Sequence, residues 1–127
     1  MARVLIVEDE IGVAQVVKAQ LEEMNHQVMV AYNGEDGINY VMDFRPQLII
    51  LDLKLPKVDG FEVIRRIRNN ADPEIRNIPI LVLSGYGYEY EKEKSFALGA
   101  NDYLVKPYER DVLVKKINSL LSSEAKG

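Results

Sequence analysis

Two of the apolar runs in this chain end in carboxylates. Glu8-Asp9-Glu10 follows the run that closes at Val7, and Asp52 follows Leu48–Leu51. Two others end in groups that complement acid: Ser84 follows Ile78–Leu83, and Lys106, with Pro107 behind it, follows Tyr103–Val105. Carboxylates brought close together repel and raise one another's proton affinity. A hard divalent cation relieves this, and Mg²⁺ suits a few carboxylates because it keeps several of its waters. An aspartate so placed can act as a covalent acceptor and form an acyl phosphate. A cation, a hydroxyl and an ammonium around it would supply the positioning and charge neutralisation that phosphoryl transfer requires.

Each residue also has a plainer explanation. An Asp after a strand commonly caps a helix or forms a turn. Glu8-Asp9-Glu10 could favour a helix N-terminus through its dipole. Ser84-Gly85 is a frequent turn pair, and Lys106-Pro107 would pass as loop. Four strand ends carrying acid, acid, hydroxyl and lysine in that order are harder to explain separately.

The elements that must position these groups alternate. Arg3–Val7, Val28–Tyr32, Leu48–Leu51, Ile78–Leu83 and Tyr103–Val105 are short and rich in Val, Ile and Leu, as strands buried on both faces are. Between them lie helical stretches. Val13, Val17, Leu21 and Met24 form one stripe, Phe61, Ile64 and Ile67 another, and Leu113, Ile117, Leu120 and Leu121 a third. Arg65, Arg66 and Arg68 are expected to point away from the second stripe. Residues 34–44 and 89–98 are weaker helices; EYEKEKSFAL (89–98) is the most poorly patterned, and Gly99 is its expected stop. Strand and helix alternating five times predicts an open parallel α/β sheet with helices on both faces. Sites in such sheets lie outside the carboxyl ends of the strands. If the first and third strands are neighbours, Asp9 and Asp52 converge.

A chain of 127 residues is one domain in length, assigned here as 1–122 with a polar tail at 123–127 that is expected to fray. It has no cysteine to build a disulfide framework, and no run near the ~18 apolar residues of a membrane span. A cytoplasmic location is the expectation. The net charge of −4 argues against direct nucleic-acid binding.

VLIVEDE at the first strand, DLKLPKVDG after the third, ILVLSG at the fourth and GANDYLVKP through the fifth resemble the receiver domain of bacterial two-component response regulators. The resemblance runs from about Ala2 to Leu121. It implies a flavodoxin-like three-layer fold with sheet order 2-1-3-4-5. It implies Asp52 as phosphoacceptor, Asp9 as direct Mg²⁺ ligand, Glu8 as a ligand through water, and the backbone carbonyl of Lys54 as a further ligand. Ser84 would be the switch hydroxyl, Lys106 the phosphate-pairing lysine with a cis bond to Pro107, and Tyr103 the switch aromatic. The phosphoryl donor would be a sensor histidine kinase or a histidine phosphotransfer protein, docking on the first helix near Val13, Ala14 and Val17. The output would be a remodelled surface of the 89–98 helix, the fifth strand and the last helix, read by a downstream effector protein or domain. A phosphorylation-dependent homodimer is also open. The chain would be either a stand-alone receiver or the N-terminal part of a longer regulator. Self-phosphorylation with Mg²⁺ and slow autodephosphorylation are its only expected chemistry.

The sequence departs from the family pattern in places. Ser84 replaces the commoner threonine, Gly85 the commoner alanine, and Asn101 a frequent aspartate, which puts dimerisation through that surface in doubt. Tyr86 is read as a surface aromatic, with shielding of the acyl phosphate as the alternative. His26, the sole histidine, is read as a solvated turn residue. Two other functions compete. A phosphatase with an aspartyl-phosphate intermediate usually has a second Asp two residues after the nucleophile, where Lys54 stands. A flavin module would offer hydroxyls and glycines in its first loop, where Glu8-Asp9-Glu10 would repel phosphate.

Overall fold

The computed structural model describes residues 1–126 apart from 86 and 88, with only the backbone described for 123–126. In chain order its elements are β1 (Arg3–Val7), α1 (Ile11–Glu23), β2 (Gln27–Ala31), α2 (Gly34–Phe44), β3 (Leu48–Leu51), α3 (Gly60–Arg68), α4 (Pro73–Arg76), β4 (Ile80–Ser84), α5 (Glu89–Leu98), β5 (Asp102–Val105) and α6 (Arg110–Lys126). The five strands form one parallel sheet in the order β2-β1-β3-β4-β5, as expected.

The doubly apolar strands account for the three layers. Leu5, Val7, Ile49, Leu51, Ile80, Val82 and Tyr103 pack on one face of the sheet with residues of α2, α3 and α4. Val4, Ile6, Leu48, Ile50, Leu81 and Leu83 pack on the other with Ala14, Val17 and Leu21 of α1 and Leu113 and Ile117 of α6. The period of two along a strand sends alternate residues to opposite layers. Full burial of each Leu or Ile contributes about 1.5–3 kcal/mol, so both faces are needed to hold so thin a sheet.

The starts of α2, α3 and α4 follow side-chain chemistry. Asn33 Oδ1 accepts from the Asp36 amide at 2.8 Å to cap α2, and Asp59 Oδ1 accepts from Glu62 at 2.9 Å to cap α3. The one-turn α4 was not expected; Asp72 caps it and Pro73 opens it. The last helix runs through Lys126, so the backbone at 123–126, assigned to a polar tail, lies within α6.

Two residues read as solvated are engaged. His26 is half-buried, and its Nδ1 accepts the Ala2 amide at 3.1 Å, tying the turn before β2 to the start of the chain. Arg68 is half-buried and bonded inward, in contrast to the exposed Arg65 and Arg66. At α5, the most poorly patterned stretch, Ser95 is the one buried residue.

Candidate acidic site at the carboxyl ends of the strands

Register fixes the site. Val7 pairs with Leu51 across β1 and β3, so Glu8 and Asp52 leave the sheet at the same level. The Asp52 amide still donates to the Val7 carbonyl at 2.9 Å, and the Glu8 amide to Ala31 at 3.0 Å. Ser84 pairs with Val105, and the Lys106 amide donates to the Ser84 carbonyl at 2.8 Å. Glu8, Asp52 and Lys106 stand two residues beyond Ile6, Ile50 and Leu104, which pack beneath α1 and α6, so alternation directs all three to that side of the sheet.

There they meet. Lys106 Nζ lies 2.7 Å from Glu8 Oε1 and 3.7 Å from Asp52 Oδ2. Asp52 Oδ1 accepts the Leu53 amide at 2.8 Å, and Glu8 Oε2 accepts the Glu10 amide at 3.2 Å. Glu8 is 3 % exposed, Asp52 6 % and Ser84 1 %. Burying charges without partners would cost several kcal/mol each, and Lys106 supplies the opposite charge in reach. Burial pushes the Glu8 carboxyl up to about 7; the Lys106 hydrogen bond pulls it back and the Asp52 charge raises it further. For Lys106, burial acts to lower the pKa, but the Glu8 hydrogen bond and the charges of Asp52, Glu8 and Glu10 outweigh it, and the net direction is up. Two buried carboxylates share one ammonium: the proton stays on nitrogen, and Glu8 is the acid that is hard to ionise.

The structure gathers Asp52, Glu8, Ser84 and Lys106 at one rim. Asp52, Ser84, Lys106 and the exposed Lys54 line an open groove of about 950 Å³, which extends along α1 past Val13 and Val16. Ligand oxygens of Glu8, Glu10 and Asp52 all lie within 4.8 Å of one another. Glu10 thus joins the cluster, although the resemblance gives it no role. The Glu10 amide donates to Glu8 Oε2 as the chain enters α1, which keeps the two residues side by side. Asp9 is exposed and lies outside those three. The donor set is all carboxylate oxygen and fits a hard cation; three carboxylates against one ammonium leave the charge that a divalent ion would balance. The Lys106–Pro107 bond is cis, as expected. Tyr103 is 6 % exposed, in the inward position, opposite Val82 and on the layer facing α3. Tyr86, read as a surface aromatic with shielding of an acyl phosphate as the alternative, lies outside the described residues.

Gly60 holds the loop after Asp52 close. A Cβ there would sit 2.4 Å from the Asp52 carbonyl oxygen and 2.5 Å from Leu53 Cα, while the Gly60 amide donates to the Leu53 carbonyl at 2.8 Å. Only glycine lets α3 begin against the segment that carries Asp52.

Residues 4–118 match the family described as the response regulator receiver domain. The chain belongs to that family. Among relatives of this receiver domain, a DNA-binding dual master transcriptional regulator, RpaA of Synechocystis, is 37 % identical over 121 residues, 95 % of this chain and 49 % of that protein. The response regulator ArlR of Staphylococcus saprophyticus is 35 % identical over 95 % of this chain and 53 % of its own. The chain spans about half the length of these curated relatives. A putative response regulator from Chloroflexus aurantiacus superposes with a TM-score of 0.89 at 33 % identity, over 95 % of this chain and 98 % of that one. The receiver domain of the sensor histidine kinase PA1611 from Pseudomonas aeruginosa, solved with magnesium in its active-site cleft, gives 0.86 at 28 % identity over the same shares. The receiver fold expected from the sequence is therefore present. Among the described residues no helix is long and apolar enough to cross a membrane.

Proposed function

We propose that this receiver accepts a phosphoryl group on Asp52 from the phosphohistidine of a sensor histidine kinase or phosphotransfer protein. The observation that carries the reading is the Asp52 carboxylate, buried to 6 % exposure yet open to the groove, with Lys106 Nζ 3.7 Å from Oδ2. A carboxylate oxygen of Asp52 attacks phosphorus; the new P–O bond forms as the P–N bond to the donor imidazole breaks, and the imidazole takes up a proton. The Leu53 amide on Oδ1 orients the carboxylate, and Lys106 faces the charge that arrives with the phosphoryl oxygens. Mg²⁺, held by Glu8, Asp9, Asp52 and the Lys54 carbonyl with Glu10 beside them, would neutralise charge on those oxygens when bound. Lys106 moves from Glu8 toward the phosphoryl group and Ser84 is drawn to it, while Tyr103, already inward, packs against the space that Ser84 leaves.

The readout surface is α5, β5 and α6, where Tyr90, Phe96, Val105 and Val112 are exposed. An effector protein or domain would dock there, or a second phosphorylated copy. The domain acts in the cytoplasm, where such kinases present their phosphohistidines. It does not turn over external substrates, because exposed Lys54 stands where a phosphatase would need a proton donor, and its own phosphate is lost slowly.

Incubation with Mg²⁺ and acetyl phosphate is expected to add one phosphoryl mass, and Asp52→Asn to abolish it. Full labelling of Asp52→Asn would overturn the assignment.

A further inference from the structure

At the end of the sheet opposite Asp52, Arg68 makes a four-way connection that the acidic site does not use. The last residue of α3, it donates from Nε to the Gly99 carbonyl at 2.9 Å and from one terminal nitrogen to the Arg76 and Ile78 carbonyls, both at 2.7 Å. The other terminal nitrogen donates to Asn101 Oδ1 at 2.8 Å. All its acceptors are neutral; no carboxylate pairs with it among the described residues. Asn101 is held again from the strand side, because its Oδ1 accepts the Ile80 amide at 2.8 Å and its own amide donates to the Ile80 carbonyl at 2.9 Å. Gly99, at φ +117°, leaves the room this needs: a Cβ there would lie 2.8 Å from Arg68 Cγ. A planar fork with five donors suits such a junction, where a lysine could not serve four acceptors at once.

The other end of α5 is held differently. Glu89, Tyr90, Lys92 and Glu93 are exposed. Lys94 Nζ lies 4.3 Å over the Phe61 ring, a contact that tolerates sliding. Glu91 Oε2 is buried with no hydrogen-bond partner among the described residues. This loosely held end follows Ser84, at the rim where Asp52 lies.

We propose that Arg68 is a positioning residue that pins the carboxyl end of α5, so that phosphorylation tilts α5 about the Gly99 turn instead of displacing it as a whole. The tilt rests on the phosphorylation of Asp52 proposed above; the pinning does not. A pivot converts a small shift near Ser84 into a larger movement of Tyr90 than of Phe96 while β4 and β5 stay paired. It also gives Asn101 a role within the chain, as the acceptor shared by Arg68 and Ile80.

Residue-resolved hydrogen exchange tests both parts. In the resting protein, the amides of Ile80, Ala100 and Asn101 are expected to exchange more slowly than those of residues 92–94. Arg68→Met should speed the first set by at least about tenfold and leave the second unchanged. Equal exchange in wild type and Arg68→Met would overturn the pin. Arg68→Lys, which keeps the charge and loses the fork, should fall between, and it decides the point if the methionine variant does not fold. After phosphorylation by acetyl phosphate, wild-type changes should stop before Leu98, and in the variant they should reach Asn101. Wild-type changes that reach Asn101 would overturn the tilt. Absence of a phosphoryl mass would fail the Asp52 reading and the tilt together, while the resting comparison would still decide the pin.

Discussion

Lys106 sits closer to Glu8 than to the aspartate it is expected to serve: its ammonium is 2.7 Å from Glu8 Oε1 and 3.7 Å from Asp52 Oδ2. Glu8 therefore holds the lysine, within a short reach of Asp52. Both side chains are largely buried, so the contact is stronger than a surface ion pair.

Lys106→Ala should for that reason separate three quantities. Removing the ammonium leaves Glu8 and Asp52 buried without a cation, and the metal-free protein should lose about 1–3 kcal/mol in urea unfolding at neutral pH. Mg²⁺ affinity, read by calorimetry, should hold or rise, since the cluster gains net negative charge. Transmission of the phosphorylated state to α5 should fail. A loss of Mg²⁺ affinity comparable to the loss of transmission would count against the role given to Lys106.

Glu8→Gln tests the same triangle from the acid side. The Glu8 carboxyl titrates near 7 in the folded protein, against an ordinary value of 4.5. Between those values the folded state holds more protons than the unfolded one, so this group erodes stability as pH rises from about 4.5 through 7. In Mg²⁺-free buffer, the variant should lack that decline and be more stable than wild type by about 1–3 kcal/mol at pH 8, with little difference at pH 4.5. Its Mg²⁺ affinity should be lower. Parallel stability–pH curves for the two proteins would show that Glu8 ionises normally.

Gly60→Ala adds a methyl where there is backbone on two sides, the Asp52 carbonyl and Leu53 Cα. Neither can move as a flexible side chain would, so the strain must displace the loop that follows Asp52. A loss of about 2–4 kcal/mol in stability is expected, together with slower labelling by acetyl phosphate. Normal labelling kinetics in a folded Gly60→Ala protein would mean that the close approach does not position Asp52.

The residues that gave themselves away in the sequence did so through periodicity. The strands were legible because Val, Ile and Leu fill both faces, and register then brought Glu8, Asp52, Ser84 and Lys106 to one rim. What escaped was local or reciprocal. Helix α4 spans four residues, too few for a 3.6-residue period, although Asp72-Pro73 carried a start signal. Choosing between Glu10 and Asp9 for the carboxylate cluster depends on how the chain turns after Val7, which no pattern records. Arg68 was grouped with Arg65 and Arg66 by charge, yet it lies four residues after Ile64 and seven after Phe61, on the inward stripe. Spacing was the better guide there than residue type.

His26 provides a last test, remote from the acidic site. Burial lowers its pKa from the ordinary 6.5, and the nearby N-terminal charge adds to the shift. The Ala2 amide also donates to Nδ1, so protonating that nitrogen must break the bond that ties β1 to the turn before β2. Below 6.5 the unfolded chain takes up a proton that the folded one resists, so this group's contribution is present above that value and is lost as pH falls through the lowered folded one. Urea midpoints should therefore decline between pH 7.5 and 5 more steeply in wild type than in His26→Asn, whose Oδ1 can still accept from Ala2 but cannot titrate. Identical slopes would mean that the imidazole is as free to protonate in the folded protein as in the unfolded chain.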